Sequence, residues 1–457
     1  MINPKPRNIE GFSIDSRDLK DGDFFVPLRG SRTDGHQFLD EAFKKGASGA
    51  FVRSRDFIKE DYFNVVLVKN TEKALIEAAA NYRNNFDIPI VGITGSWGKT
   101  TTKEVVASIL SEAGKVHKTP GNYNTEYGLP LSLLEMEPGA DFGVFELGLQ
   151  YPGDVERLSK VLSPTIGLIT GVGKVHSENF PSVKEIAVEK LKLSKGMARG
   201  SKIIVGADSR TLVERARKND NYRFIEFGKK KAGGKYFSTE VSVRGTDGIY
   251  FLLNLAGETM EPPRERHKFP LSLESNLLSR ANVRNILGAS ALSLELGISP
   301  SCIREGVNID PLPQRLNPLD FNGGTVIDDT YNANPAATKN ALDLVAKIDS
   351  RSRKIFVLGD MKELGDKAAR YHEELATHVR KAGIDRILAV GELTKALIDK
   401  LNSENGGDGY GPGEWFNDRT ELISRLDSLT EGSKNLVLVK GSRSMGMEKV
   451  VEFLVNN

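Results

Sequence analysis

Cysteine is nearly absent from this sequence, in which Cys302 is the only one among 457 residues. A single thiol cannot form an internal disulfide or a cysteine-rich metal site, and this composition is typical of a reducing compartment. Long apolar runs are also missing. No stretch approaches the roughly 18 apolar residues of a membrane-spanning helix, and the first residues lack the apolar segment of a signal peptide. We therefore expect a cytoplasmic protein with no membrane span.

An excess of one charge is missing as well. Lysine and arginine total 63 and aspartate and glutamate total 61, so the formal net charge is only +2. A dedicated nucleic-acid-binding protein carries a basic surplus, and its absence argues against a nucleic-acid partner. The length of 457 residues, by contrast, is enough for about two to four domains, each with its own core.

Strand and helix signals alternate along most of the chain, which is typical of the α/β class. Residues 1–86 are predicted to form a small α/β domain that ends at the polar stretch before Pro89. Residues 87–311 are predicted to form a central ATPase-type domain with a mainly parallel sheet. Its strand candidates are Ile90 to Thr94, Gly143 to Glu146, Ile166 to Thr170 and Lys202 to Val205. Alternating residues and turn signals between 222 and 272 predict an antiparallel flanking sheet.

A third domain is predicted for residues 312–457, after a helix from Asn276 to Leu296 and a linker that contains Pro311 and Pro313. It is expected to hold a doubly wound, Rossmann-like sheet without a dinucleotide-binding glycine motif. Its strand candidates are Thr325 to Asp328, Lys354 to Leu358, Arg386 to Val390 and Leu436 to Val439. The glycine-rich stretch 405–413 is expected to be a mobile surface loop.

A glycine-rich turn separates the strand candidate that ends at Thr94 from a helical pattern. It reads Gly95-Ser96-Trp97-Gly98-Lys99-Thr100-Thr101, and it is shorter than the strict phosphate-binding pattern because Ile93 replaces the first glycine. Glycines let the backbone approach a phosphate, helical amides attract it, and a lysine neutralises its charge. The context predicts a nucleotide-phosphate site with Thr100 as a magnesium ligand, and an ordinary glycine turn is the alternative.

Two further candidates follow other predicted strands. Glu146 lies at the carboxyl end of an apolar strand, where open α/β sheets bind ligands, so it is suited to hold magnesium or, alternatively, to cap a helix. His176 follows the strand candidate that ends at Thr170, in a glycine-rich loop. A lone histidine is more often structural, but its placement puts a third strand end near the same phosphate.

Two loops are rich in amide side chains. The first contains Thr119, Asn122 and Asn124, and the second, after a strand of the third domain, contains Asn332 and Asn334. Asparagine favours turns for local reasons, which is sufficient to explain either loop alone. Their combination with a phosphate site favours contacts with substrate.

These motifs resemble those of the Mur ligases, and the resemblance covers essentially the whole chain. Its motifs are Asp15-Ser16-Arg17, Asp34-Gly35-His36, Thr94 to Thr101, Thr119-x-Gly121-Asn122-x-Asn124, Glu146-x-Gly148, His176, Asp328 to Pro335, Gly359-Asp360-Met361-x-Glu363-Leu364-Gly365 and Lys440-Gly441-Ser442-Arg443. The motifs at 328–335 and 359–365 are specific for the branch of the family that adds a dipeptide. The short glycine loop is the family's own form.

The resemblance also implies roles for single residues. It implies that Gly95 to Thr101 hold the phosphates of ATP, with Lys99 at the γ phosphate and Thr100 and Glu146 on magnesium. It implies that His176 serves a second magnesium ion and that Lys190 is carbamylated, although a helix-surface lysine is the alternative. Further ATP contacts are implied for Asn282, Arg315, Asp329 and Tyr331, and UDP-sugar contacts for Ser16, Arg17, Asp34 and His36.

The activity that the resemblance implies is an ATP-dependent ligation. D-alanyl-D-alanine would be added to UDP-N-acetylmuramoyl-tripeptide through an acyl phosphate, by a monomer, in peptidoglycan precursor synthesis. One alternative is another amino-acid ligase of the superfamily, such as a folate polyglutamate or cyanophycin-type enzyme. The other is a nucleotide-switch protein that binds ATP without ligation, which leaves Glu146, His176 and Lys190 unexplained.

Overall fold

A computed structural model describes most of the chain, namely residues 8–30, 33–60, 62–173, 179–228, 234–257, 269–348, 352–403, 413–431 and 434–456. Its described residues form three sheets covered by helices, so the predicted α/β class is confirmed. The chain divides into two compact units. The first comprises Met1–Val172, Ile186–Val205 and Ser209–Ile225, and the second comprises Gly173–Glu185, Gly206–Asp208 and Glu226–Asn457.

The first unit begins with a small parallel sheet in the order β1-β2-β3-β4. Its elements are β1 (Gly11–Ser13), β2 (Asp23–Phe25), α1 (Leu39–Lys44), β3 (Gly49–Val52), β4 (Val65–Leu67) and α2 (Thr71–Arg83). The side chain of Asn70 caps α2 by accepting a hydrogen bond from Lys73 N. Phe25, Leu39 and Val52 are fully or nearly fully buried in the core between sheet and helices.

A parallel array follows, and its fully buried strands require the helices that cover both faces. Its elements are β5 (Ile90–Thr94), α3 (Lys99–Ser111), β6 (Val116–Lys118), α4 (Gly128–Leu134), β7 (Phe142–Glu146), α5 (Asp154–Leu162), β8 (Ile166–Ile169), α6 (Val183–Leu191), β9 (Lys202–Gly206) and α7 (Arg210–Ala216). Strand β5 pairs with β7 on one side and β8 on the other, all in parallel. The chain order therefore reverses beside β5, and such a switch point is where open α/β sheets bind ligands.

The remaining strands of this sheet are β10 (Arg223–Gly228), β11 (Tyr236–Val243), β12 (Ile249–Leu255) and β13 (Leu271–Ser275). The described residues thus give one sheet in the order β13-β12-β11-β10-β9-β8-β5-β7-β6. Strands β11 to β13 are antiparallel as predicted, but β10 pairs with β11 in parallel. Helix α8 (Arg280–Glu295) begins later than predicted because Ser279, at φ 78°, lies outside helical geometry and caps it. Helix α9 (Pro300–Gly306) follows.

The third sheet has the order β14-β15-β19-β16-β17-β18. Its elements are β14 (Asn317–Phe321), β15 (Gly324–Asp329), α10 (Pro335–Val345), β16 (Arg353–Gly359), α11 (Ala368–Glu373), α12 (Leu375–Lys381), β17 (Arg386–Val390), α13 (Lys395–Ser403), β18 (Glu414–Phe416), α14 (Arg419–Thr430), β19 (Asn435–Lys440) and α15 (Glu448–Asn456). All pairs are parallel except β14 with β15. The four predicted strands are present, whereas the edge strands β14 and β18 were not predicted.

Two expectations about chain organisation are not tested by the described residues. The loop predicted at 405–413 lies, apart from Gly413, outside the described residues. The three-domain boundaries stay a prediction. Among the helices of the described ranges, none has the length and apolar character needed to cross a membrane.

Candidate active site

The loop between β5 and α3 has the geometry of a phosphate cradle. Gly98 adopts the left-handed conformation (φ 72°) that precedes α3, and the helix begins at Lys99. A side chain at Gly95 would place its Cβ 1.8 Å from Thr170 Oγ1, so only glycine fits there. The amides of the first helical turn have no carbonyl within the helix and face the open end of the loop, where they attract an anion.

The same loop is fastened to the end of β8. Ser96 N donates a hydrogen bond to Gly171 O at 2.9 Å, and Thr170 Oγ1 donates to Trp97 O at 2.5 Å. The Trp97 side chain is 37% exposed, while Thr101 is buried within α3. These bonds hold the loop backbone in place, which is the preorganisation that phosphate binding requires.

Three predicted site residues meet at the mouth of this loop. Lys99 Nζ donates to Gly95 O at 3.1 Å, and Thr100 Oγ1 donates to Glu146 Oε2 at 2.8 Å. Glu146 is only 2% exposed, because β7 pairs directly with β5 and ends beside α3. The structure thus brings a cation, a hydroxyl and a carboxylate together where a nucleotide phosphate would lie.

The loop after β6 supports that carboxylate. Asn124 Nδ2 donates to Glu146 Oε1 at 2.7 Å, and Glu146 N donates to Thr119 Oγ1 at 3.1 Å. Asn122 is exposed in the same loop. Thr119 and Asn124 therefore bind Glu146, while contacts of this loop with substrate stay a prediction.

Lys103 is a residue of this site that sequence reasoning missed. It is 0% exposed, and its Nζ donates to Thr119 O at 2.6 Å and to Gly121 O at 3.3 Å. The available signal was its spacing, since Lys103 precedes the buried Val106 and Leu110 by three and seven positions and so lies on the apolar face of α3.

Lys190 lies on α6 and is 1% exposed, which excludes the helix-surface alternative. Burial, followed by the repulsion of Lys99, lowers the pKa of Lys190 well below its usual value. This shift makes the neutral, nucleophilic amine more accessible than it is in an exposed lysine.

The predicted His176 falls in 174–178, outside the described residues. Within the described part of the chain, no group of three or more His, Cys, Asp or Glu side chains is arranged to hold a metal ion. Of the predicted metal ligands, Thr100 and Glu146 are in direct contact, with Thr100 Oγ1 2.8 Å from Glu146 Oε2.

In the second unit, predicted residues at the end of β15 and close to it form a charged cluster. Lys440 Nζ donates to Asp329 Oδ2 at 2.6 Å and to Asn332 O at 2.8 Å. Burial raises the pKa of Asp329, against the opposing effect of Lys440. The guanidinium of Arg315 lies 3.8 Å from the centre of the Tyr331 ring, a cation–π contact.

The other predicted asparagines of this unit make local contacts. Asn334 caps α10 by accepting from Ala337 N at 2.9 Å, so its side chain has a structural role. Asn282 Nδ2 donates to Leu278 O at 2.5 Å, and its Oδ1 accepts from Asn285 Nδ2 at 2.8 Å. These bonds fix the orientation of Asn282 at the start of α8.

The residues predicted for the UDP-sugar form two groups in the segments that connect β1, β2 and α1. Arg17 is held by the carboxylate of Asp15, at 2.9 and 2.6 Å, while its neighbour Ser16 is buried. Asp34 accepts from His36 Nδ1 at 2.7 Å and forms an ion pair with Arg53. Both carboxylates orient cationic or aromatic side chains, an arrangement suited to an anionic ligand.

Comparison with known proteins gives matches over nearly the full length. Family models match at residues 8–85 ("Mur ligase family, catalytic domain"), 93–293 ("Mur ligase middle domain") and 314–443 ("Mur ligase, glutamate ligase domain"). The UDP-N-acetylmuramoyl-tripeptide–D-alanyl-D-alanine ligase of Escherichia coli (strain K12) is 32% identical, over 98% of this chain and 94% of its own length.

Solved structures agree with these matches. A crystal structure of MurF from Acinetobacter baumannii has a TM-score of 0.86 and 27% identity, covering 98% of this chain and 94% of that one. MurF from Thermotoga maritima in complex with ADP has a TM-score of 0.80 and 26% identity, covering 98% and 97%. This likeness confirms the predicted fold, which combines a small α/β domain, a central domain with a mainly parallel sheet and a Rossmann-like domain.

Proposed function

The chain belongs to the Mur ligase family, and from that membership we propose that it adds D-alanyl-D-alanine to UDP-N-acetylmuramoyl-tripeptide, consuming ATP in peptidoglycan precursor synthesis. The observation that carries this function is the full-length likeness to ligases of that name, combined with a complete phosphate loop beside Glu146. The enzyme is an amide-forming ligase that releases ADP and phosphate. We further propose that it acts as a monomer in the cytoplasm.

Binding of the ATP phosphates is assigned to residues 95–101. Loop amides and the start of α3 face the phosphates, and Gly95 and Gly98 leave room for their approach. Lys99 neutralises charge at the γ phosphate. Asn282, Arg315, Asp329 and Tyr331 are proposed as contacts with the rest of the nucleotide.

Magnesium is proposed as the metal, because the donors are hard oxygens and this ion keeps waters and substrate phosphates instead of an all-protein cage. Thr100 and Glu146 would hold one ion, and His176 with a modified Lys190 would hold a second. Bound magnesium would offset the negative charge that gathers among the phosphates and the substrate carboxylate.

The reaction joins a carboxylate to an amine, which requires activation of the carboxylate. The terminal carboxylate of the tripeptide attacks the γ phosphorus of ATP and expels ADP, which gives an acyl phosphate. The amine of D-alanyl-D-alanine then attacks the acyl carbon, loses a proton and expels phosphate. Lys99 and the loop amides stabilise the charge that develops on the transferred phosphoryl group.

Carbamylation of Lys190 is consistent with its surroundings. Its neutral amine would attack the carbon of CO2, lose a proton and become a carbamate with one negative charge. The cation of Lys99 favours that anion over the ammonium form. The carbamate would supply a carboxylate-like ligand to the second magnesium ion.

The remaining predicted residues are assigned to the sugar and peptide parts of the substrates. Ser16, Arg17, Asp34 and His36 are proposed for the UDP-sugar, and Thr119, Asn122, Asn124, Asn332 and Asn334 for the peptide parts. The first predicted domain (1–86) would then contribute to the UDP-sugar, and the second and third (87–311 and 312–457) would both contribute to ATP and to the peptide parts.

The test is phosphate release by the purified protein with ATP, magnesium, UDP-N-acetylmuramoyl-tripeptide and D-alanyl-D-alanine. Release is expected only when both peptide substrates are present, because the acyl phosphate needs the tripeptide and turnover needs the amine. Release that is indifferent to the dipeptide contradicts the proposal. Activity with glutamate in place of the dipeptide would indicate another ligase of the superfamily.

A further inference from the structure

Lys103 is a fully buried cation in the second turn of α3, one turn after Lys99. An ammonium group in a protein interior is costly unless all its donors are satisfied. Lys103 Nζ has three oxygen partners: Thr119 O at 2.6 Å, Gly121 O at 3.3 Å and Glu104 Oε1 at 3.0 Å. The side chain therefore ties α3 to the loop that follows β6.

That loop holds Glu146 at two points. Thr119 accepts from Lys103 through its carbonyl and from Glu146 N through its Oγ1. Asn124, farther along the same loop, donates to Glu146 Oε1 at 2.7 Å. A single residue, Thr119, thus connects Lys103 to the backbone of Glu146.

The other oxygen of Glu146 accepts from Thr100. Thr100 and Lys103 lie three positions apart on α3, so the helix and the loop reach the carboxylate from two sides. A shift of the loop relative to α3 would alter the separation of the Thr100 hydroxyl and the Glu146 carboxylate, the two groups proposed to hold magnesium.

We propose that Lys103 is a positioning residue for the magnesium site: by anchoring residues 119–124 to α3, it sets the placement of the Glu146 carboxylate before nucleotide binds. It contacts neither nucleotide nor metal. The inference rests on the proposed function, because it takes Glu146 as a metal ligand. Residues behind a metal ligand typically change metal affinity by about 10–100-fold when they are replaced.

The test compares ADP affinity with and without magnesium, measured by calorimetry in excess magnesium and in EDTA. Lys103→Met keeps the length of the side chain but removes its charge and donors. We expect the magnesium-dependent gain in affinity to fall about tenfold or more, while affinity in EDTA changes less than about twofold. Lys118→Met is the matched control, because Lys118 pairs with the same Glu104 at 2.5 Å but is 49% exposed. It is expected to leave both affinities unchanged.

A folded Lys103→Met protein whose ADP affinity rises with magnesium as much as that of the wild type would overturn the inference. So would an equal loss of affinity with and without magnesium, which is the mark of a general structural defect. Where Lys103→Met fails to fold, Thr119→Val removes the acceptor for Glu146 N, and an unchanged magnesium gain in that variant also overturns it. Glu146→Gln distinguishes a failure of the Lys103 inference from a failure of the proposed function. If Glu146→Gln also keeps the full magnesium-dependent gain in ADP affinity, the assignment of Glu146 as a metal ligand has failed.

Discussion

Two lysine side chains of this site are buried, and their surroundings determine their chemistry. Lys190 is the clearest case, since it is a fully buried lysine near Lys99 and Glu146 with its pKa well below the usual value. Lys103 has the same burial but three oxygen partners. We therefore propose different roles for these two buried lysines of one unit, namely modification for Lys190 and anchoring for Lys103.

Replacement of Lys190 tests the first of these roles. Lys190→Ala is expected to lose at least about a hundredfold in turnover, because the proposed carbamate would hold the second magnesium ion, which offsets negative charge at the reacting phosphates. Acetate or formate should restore part of the rate by occupying the vacated space. Lys195→Ala, at an exposed position nearby, is the control and should keep the wild-type rate. Full turnover in Lys190→Ala would show that the modification is not needed.

The packing of the loop against neighbouring secondary-structure elements determines whether it can bind phosphate. The turn between β5 and α3 is expected to bind phosphate only if its backbone lies against the end of β8, where Thr170 and Gly171 hold it by hydrogen bonds. Gly95 is the point of closest approach, with no room for a side chain.

Gly95→Ala is accordingly expected to weaken ADP binding by at least about tenfold, because the added methyl group displaces the loop from Thr170 and overpacking is costly. Calorimetric titration with ADP measures the effect. Gly139→Ala provides the comparison, since nothing lies within 4 Å of the Cβ it would add. Equal affinities in the two variants would mean that the loop is not the phosphate site.

Helix α11 gives a second prediction at this scale. His372 is fully buried, its Nε2 accepts from Met361 N at 3.0 Å, and its Nδ1 donates to Ala368 O at 2.8 Å. Acceptance at Nε2 needs the neutral ring, whereas Nδ1 can donate in either state, and burial lowers the pKa of His372 below 6.5. The unfolded chain therefore binds a proton more readily, so stability is lost as pH falls below about 6.5.

The measurement is the urea midpoint at pH 7.5 and pH 5. Protonation of His372 leaves the Met361 amide without its acceptor, a loss of about 1–3 kcal/mol. His372→Gln offers an acceptor and a donor without titrating, so its midpoint should change less between the two pH values. Identical pH dependence in both proteins would contradict the assignment.

The sequence allowed more of the elements to be predicted than of the contacts between them. Strand β5, the glycine turn and Glu146 could be predicted because their signals are local, namely apolar runs, glycines and strand ends. Strands β14 and β18 could not, since Asn-Pro-Leu-Asp-Phe and Glu-Trp-Phe are short and mix polar with apolar residues. Lys103 was missed because its partners lie 16 and 18 residues away and are backbone carbonyls, which carry no side-chain signal.

At the scale of the whole molecule, residues proposed for ATP are found in both compact units. The phosphate loop, Glu146 and Lys190 lie in the first unit, and Arg315, Asp329 and Tyr331 lie in the second. The motifs behind the family resemblance span the chain from Asp15 to Arg443, which is why the family could be identified from the sequence. Family models match from residue 8 to residue 443, with gaps between them.

The central claim is that this chain forms one amide bond between two defined substrates. Its most direct test is mass spectrometry of the nucleotide product after incubation with ATP, magnesium, UDP-N-acetylmuramoyl-tripeptide and D-alanyl-D-alanine. The product is expected to gain the mass of the dipeptide less one water, in equal amount to the ADP formed. ADP formation with an unchanged mass of the sugar nucleotide would contradict the claim.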